Sequence, residues 1–280
     1  PHQFLSGSGG GHRCRPTHCS DGGALQNIRS IRMKKVGLLG CGKIGRAIMK
    51  RVLETGHQIS FVQDPFFRES ADFPVITSPD SAVYDGTDLV VECATAAALK
   101  ESFEKIIAVS DMLIFSVTAF SDPAFQQRAT AAAAASGHHI YFPHGAILGL
   151  DGIADAAPIM TAASVETTKS PKSLGLDLTE RTVVFDGCTR DACAAFPRNV
   201  NVHAAVALAG IGFDRTKSKI IADPSVTTNS HIIRIEGEGI HFTIEVSSFT
   251  TGGVTGVYTP LSACGSIDRL LANGREYAFI

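Results

Sequence analysis

The stretch Lys34-Lys35-Val36-Gly37-Leu38-Leu39-Gly40-Cys41-Gly42-Lys43-Ile44-Gly45, followed by Arg46-Ala47-Ile48-Met49-Lys50-Arg51-Val52-Leu53-Glu54, decides the fold. A short apolar run leads into a glycine-rich turn, and the residues beyond it repeat their apolar positions at helical spacing. Strand, turn and helix in that order give the glycines of GxGxxG separate tasks. Gly40 permits the tight turn, Gly42 lets the backbone approach a pyrophosphate, and Gly45 lets the helix pack on the strand. The helix N-terminus, entered through Lys43 and Ile44, turns backbone N–H groups and the positive end of a dipole toward a phosphate.

An acid at the right distance completes the pattern. Gly56 ends the helix, and His57 to Asp64 reads as a second strand with a carboxylate at its tip, about twenty residues past Gly45. Such an acid accepts hydrogen bonds from the adenosine ribose and repels a 2′-phosphate, so NAD is favoured over NADP. Arg68, four residues on, is a cation able to partner a 2′-phosphate and keeps dual use open. The competing structural reading is that Asp64 caps the turn before Pro65.

Composition narrows the class. The 280 residues are 44% hydrophobic and 19% charged, enough for a full core and two domains. A net charge of −2 provides no basic field for nucleic acid, and no apolar run has the length of a membrane span. Cys14, Cys19, Cys41, Cys93, Cys188, Cys193 and Cys264 form an odd set without a CxxC pair, which fits reduced thiols in the cytoplasm. Residues 1–32, rich in Gly, Ser, His and Arg, read as a tail that is unstructured or foreign to the natural chain, with Met33 as the natural start. That reading outweighs a zinc site from His12, Cys14, His18 and Cys19, so no metal is expected.

Residues 33–141 continue as a dinucleotide-binding domain. Asp85 to Cys93 and Asp111 to Ala119 are expected as strands buried on both faces, with a helix over Ala94 to Val109 between them. Ligands of an open parallel sheet lie beyond the carboxyl ends of its strands, so Cys93-Ala94-Thr95 and Ser116-Val117-Thr118-Ala119 should border the nicotinamide. A helix over Phe125 to Ser136 and a short strand at His139 to Phe142 follow. Residues 142–254 then change character, with β-branched runs at Pro158 to Lys169, Arg181 to Asp186, Lys217 to Ala222, Ser230 to Glu238 and Ile240 to Ser248. One helix, Asn199 to Ala209, interrupts them. The fold class is therefore α/β: an N-terminal Rossmann doubly wound parallel sheet plus a second α+β domain with a mainly antiparallel sheet. Residues 255–280, helical over Leu261 to Ala272, are expected to pack back on the first domain.

Several segments together resemble the L-aspartate dehydrogenase family. They are Gly40 to Gly45, Leu89-Val90-Val91-Glu92-Cys93-Ala94, Ser116 to Ala119, Gly145-Ala146-Ile147-Leu148-Gly149-Leu150-Asp151-Gly152, Phe196-Pro197-Arg198-Asn199-Val200-Asn201-Val202, Ala207 to Gly212 with Asp214-Arg215-Thr216, and Ile221-Ala222-Asp223-Pro224 leading to Asn229-Ser230-His231. Thr118 stands where the family has glycine. The resemblance implies a Rossmann domain joined to a domain that holds substrate and makes a homodimer, with His231 catalytic and Ala146 and Asn201 at the coenzyme. It also implies NAD(P)-dependent oxidative deamination of L-aspartate, or the reverse amination. The resemblance leaves two fates for the iminoaspartate formed, release as oxaloacetate and ammonia or passage to NAD biosynthesis.

The chemistry can be argued separately. Oxidising an amino acid needs a deprotonated α-amine and a Cα hydride facing nicotinamide, hence a base titrating near neutrality. His231 is the candidate, with His144 and His203 as competitors. A dicarboxylate needs cations or N–H donors, for which Arg198, Lys217, Lys219 and the helix start after Pro197 are available. Asn199 reads as an N-cap or a substrate contact, and Asn201 as a ligand contact. Two other classes share the first motif: a reductase of the dihydrodipicolinate or homoserine dehydrogenase type, and a non-catalytic NAD-binding sensor. The first lacks its His-His-x-x-Lys cluster here, and the second has no need of Asn201 together with His231.

Overall fold

A computed structural model of the chain describes residues 32–69, 72–249 and 256–271. The tail assigned to residues 1–32, including the zinc alternative, lies outside them except for Arg32. The first half alternates strands and helices as β1 (Lys35–Leu39), α1 (Lys43–Glu54), β2 (Gln58–Gln63), β3 (Val75–Ile76), α2 (Ser81–Tyr84), β4 (Leu89–Glu92), α3 (Ala96–Ile107), β5 (Asp111–Ile114), α4 (Pro123–Ser136) and β6 (Ile140–Tyr141). All six strands are parallel, in the order β3-β2-β1-β4-β5-β6. The chain leaves β1 to one side and returns to β4 on the other, so the crevice for a ligand opens between β1 and β4.

Helices cover both faces of this sheet, which is why its strands read as unbroken apolar runs. Val36, Leu38, Val91 and Leu113 join one core with Ile48 and Val52 of α1, while Leu39, Val90, Met112 and Ile114 point into the other with Leu99 and Phe103 of α3. The strand expected to run to Ala119 stops at Ile114, and residues Val117–Ser121 form a 3-10 turn instead. The cause is local: Glu92 captures both the N–H and the hydroxyl of Ser116 and bends the chain there.

The second half runs α5 (Leu150–Ala156), β7 (Met160–Lys169), α6 (Pro171–Leu174), β8 (Thr182–Cys188), α7 (Thr189–Ala195), α8 (Asn201–Ala209), β9 (Thr216–Ala222), β10 (Thr228–Gly237), β11 (Ile240–Phe249) and α9 (Tyr258–Leu270). Its sheet has the order β11-β10-β7-β9-β8. Three of the pairings are antiparallel, and β7 with β9 is parallel, because β9 returns between β7 and β8 after the α7–α8 crossing. Besides the one helix expected among these strands, the structure has α5, α6 and α7. Four to seven residues are too few to show a helical period in sequence. Helix α9 packs on α1, where Arg51 holds Asp268 in a two-pronged ion pair at 2.8 Å. Among the described residues no helix is long and apolar enough to cross a membrane.

Candidate active site

The turn after β1 shows what each glycine does. Gly40 has φ +89°, and a Cβ there would lie 2.8 Å from the Ala94 backbone; one on Gly45 would lie 2.5 Å from the Gly40 carbonyl oxygen. Both positions are closed to any side chain. Gly42 is exposed and a Cβ on it would meet nothing within 4 Å. It forms the N-cap of α1, whose first turn has neither a capping side chain nor an acid. Open space over a helix N-terminus fits a pyrophosphate, with Lys43 and Ile44 beside it.

Asp64 stands at the tip of β2 and has structural work to do. Its Oδ2 accepts the Cys41 N–H and its Oδ1 the Phe66 N–H, both at 2.7 Å. It therefore steadies the glycine turn while capping its own, and each oxygen keeps a lone pair for a ribose hydroxyl. Arg68 is exposed nearby, its guanidinium donating to the Phe67 carbonyl.

Glu92 joins the loops that follow β4 and β5. Fully buried at the end of β4, its Oε1 accepts the Ala94 N–H and the Ser116 hydroxyl and its Oε2 the Ser116 N–H, each at 2.8 Å. Burial pushes its pKa up to about 7 in spite of those donors.

Beyond the strand ends lies a cavity walled by both halves of the chain. Ile44 comes from the first half, and His144, Ala146, Lys169, Arg198, Asn199, Asn201 and His231 from beyond β6. Alternation along β10 turns His231 inward with Ile233 and Ile235, and leaves it 4% exposed. Its Nδ1 lies 2.8 Å from Thr167 Oγ1. Burial first, and then the nearby Lys169 ammonium and the His203 ring, hold its pKa well below the ordinary histidine range. The imidazole is therefore neutral, and its proton affinity lies below that of the base titrating near neutrality that the sequence suggests, because burial penalises the imidazolium.

Lys169 was not among the cations singled out in the sequence. It ends β7, whose inward residues are Ala163, Val165, Thr167 and Lys169 itself, so the same alternation that marks a core strand also marks this lysine. Its Nζ donates to the Asn199 carbonyl oxygen at 3.2 Å, and burial lowers its pKa to about 8. Among the described residues no carboxylate forms an ion pair with it. A buried ammonium left without an anion is a place prepared for one.

Other candidates divide. Arg198 is exposed at the cavity rim, and Asn199 presents a buried Oδ1 that has no partner among the described residues instead of capping the helix, which begins at Asn201. Asn201 lines the cavity, and its Oδ1 also accepts the Thr118 N–H at 3.1 Å, tying the turn after β5 to α8. Thr118 lies outside the cavity lining, its hydroxyl donating to the Pro197 carbonyl. Ala94 packs under Gly40. Lys217 and Lys219 alternate with the inward residues of β9 and face away; Lys219 pairs with Glu166 at 3.6 Å. His144 lines the cavity, whereas His203 is fully buried behind His231 and reaches it only through Thr167.

Residues 152–270 match the family model described as "Aspartate dehydrogenase, C-terminal" and residues 40–143 that described as "Homoserine dehydrogenase, NAD binding domain". An L-aspartate dehydrogenase of Methanococcoides burtonii is 34% identical over 264 residues, covering 85% of this chain and 97% of that one. One of Thermotoga maritima is 37% identical over 201 residues, covering 71% and 80%. The crystal structure of aspartate dehydrogenase from Thermotoga maritima superposes with a TM-score of 0.71 at 31% identity, covering 88% of this chain and 99% of that one. A nicotinamide-coenzyme sheet of the homoserine dehydrogenase kind is thus joined to a second sheet of a different kind, and by that second sheet, by identity and by superposition the chain belongs to the L-aspartate dehydrogenase family.

Proposed function

We propose that this oxidoreductase deaminates L-aspartate to iminoaspartate, and thence to oxaloacetate and ammonia, or runs the reverse amination. The observation that carries this reading is that buried Lys169, without an acidic partner, and neutral His231 line one cavity with Ile44 of the coenzyme helix. Lys169 and the rim guanidinium of Arg198 hold the two substrate carboxylates. The unpartnered Oδ1 of Asn199 accepts from the α-ammonium, and His231 removes the proton that must leave nitrogen before Cα can give up hydride. Bound coenzyme supplies the hydride acceptor. Asn201 and Ala146 border the nicotinamide, and Asp64, with lone pairs facing the ribose, favours NAD over NADP.

In this reading residues 33–141 form the dinucleotide-binding domain, and 142–254 hold the substrate while lending Ala146 and Asn201 to the coenzyme. Helices α7 and α8 lie on one face of the second sheet, and on the other face the outward residues Glu166, Thr168 and Ile232 are half-buried while Lys217 and Arg234 are exposed. That face supports a homodimer, checked by light scattering. The five described cysteines are free thiols, in keeping with a reducing cytoplasm.

Coenzyme reduction followed by absorbance with L-aspartate tests the activity. His231→Ala should lower kcat by about two to four orders of magnitude, the usual contribution of a positioned base, with NAD affinity held. No reduction with aspartate in the native enzyme would overturn the reading.

A further inference from the structure

Behind His231 a line of buried side chains runs through the second sheet. Thr167 Oγ1 lies 2.8 Å from His231 Nδ1 and 2.7 Å from His203 Nε2. His203 Nδ1 lies 2.8 Å from Ser218 Oγ, which lies 2.8 Å from Thr189 Oγ1. The line ends where the Thr189 hydroxyl donates to the Thr216 carbonyl oxygen at 3.0 Å. All of these side chains are buried, with Thr167 at 1% and His203, Ser218 and Thr189 at 0% exposure.

The carbonyl at the far end gives the line a direction, because a carbonyl only accepts and each hydroxyl has a single proton. Thr189 spends its proton on Thr216, so Ser218 must donate to Thr189. Ser218 then has no proton for His203, which must donate from Nδ1. His203 is neutral, since burial drives its pKa down to about 3, so its Nε2 is an acceptor. Thr167 therefore donates to His203, and its oxygen is left to accept from His231 Nδ1–H.

We propose that this chain of hydrogen bonds, anchored on the Thr216 carbonyl, locks His231 in the Nδ1–H tautomer and so keeps the Nε2 lone pair toward the cavity. The proposal rests on His231 being the base described above, and makes Thr167 and His203 positioning residues that touch neither substrate nor coenzyme. When Nε2 takes a proton, Nδ1 continues to donate to Thr167, and no hydroxyl in the chain has to turn. A neutral histidine without such a lock divides between two tautomers, one of which presents N–H to the substrate amine and cannot act as base.

The native enzyme, saturated with NAD, provides the first test. Long-range proton–nitrogen NMR of the imidazoles, with His231 assigned by comparison with His231→Gln, should show a protonated Nδ1 and an unprotonated Nε2 at neutral pH. An Nε2–H tautomer at His231 would overturn the lock, and this measurement needs no variant in the chain itself. The second test is Thr167→Val, which keeps the shape and removes the hydroxyl. It should lower kcat for aspartate about 10- to 100-fold with KM nearly unchanged and mix the His231 tautomers, and Thr167→Ser should restore both. Unchanged tautomer and kcat in Thr167→Val would equally sink it. If His231→Ala instead kept full activity, the base assignment would fail, while the tautomer spectrum would still decide on the lock.

Discussion

Lys169 Nζ donates to the carbonyl oxygen of Asn199 at 3.2 Å, which pins a buried ammonium between the end of β7 and the segment that leads into α8. Nothing acidic among the described residues balances it, and burial alone lowers its pKa to about 8. Lys169→Met keeps the length and removes the charge. Loss of a charge-assisted contact to a substrate carboxylate should cut kcat/KM for aspartate roughly 10- to 150-fold. Thermal stability should hold or rise, because the desolvation cost of the ammonium goes with it. An unchanged kcat/KM would remove Lys169 from the substrate site.

The buried histidines make the fold sensitive to acid. His203 has its pKa near 3 and His231 well below the usual 6.5, so below pH 6.5 the unfolded chain takes up protons that the native state refuses. Their contribution is complete above pH 6.5 and is lost as pH falls. Glu92 acts in the opposite sense: its native pKa of about 7 exceeds the usual 4.5, so the native state gains protons first and gains stability as pH falls between those values. His144, lowered by burial as well, adds to the two histidines, and together they outweigh the one carboxyl, so stability slopes downward as pH falls below 6.5. Urea unfolding at fixed protein concentration should follow that slope, and His203→Gln should flatten it. A wild-type stability that rises on acidification contradicts the balance.

Glu92→Gln probes the tie between the loops that follow β4 and β5. However its amide is placed, an NH2 replaces an oxygen that now accepts a backbone N–H from Ala94 or Ser116. Two donors then face each other in a site with no water access, which should cost about 2–4 kcal/mol in chemical denaturation. Coenzyme affinity should weaken in calorimetric titration as the loops separate. A variant as stable as the native protein would show that the loops hold their form without the carboxylate.

Asp64→Ala should have two effects because Asp64 has two tasks. Relief of repulsion raises kcat/KM with NADP relative to NAD. The Cys41 and Phe66 N–H groups also lose their acceptor, which should lower stability by about 1 kcal/mol. If stability falls and the coenzyme ratio stays put, Asp64 serves the turn alone.

How far the sequence could be read depended on whether neighbours in the chain or neighbours in space decided a residue's role. The glycine turn, the acid at the end of β2 and the buried parallel strands were legible because a tight turn, a helix start and burial on two faces each impose a local pattern. The short helices α5, α6 and α7 were not, since fewer than two turns leave no period. Among the cations, Lys217 and Lys219 face away from the cavity and Lys169 lines it, and the alternation of β7 already puts Lys169 inward with Thr167.

The sequence by itself determined the coenzyme fold and the family resemblance, which rest on short segments whose spacing is their content, and that resemblance singles out His231 as the candidate base. Only the tertiary structure decided which groups surround that histidine. Lys169, Asn199 and Thr167 reach it from segments tens of residues away, and Thr118, adjacent in sequence to cavity-lining Val117, turns instead to Pro197. Strand order does this: β10 and β9 flank β7, so the inward side chains of three separate strands meet on one face, and no spacing along the chain encodes which strand lies beside which.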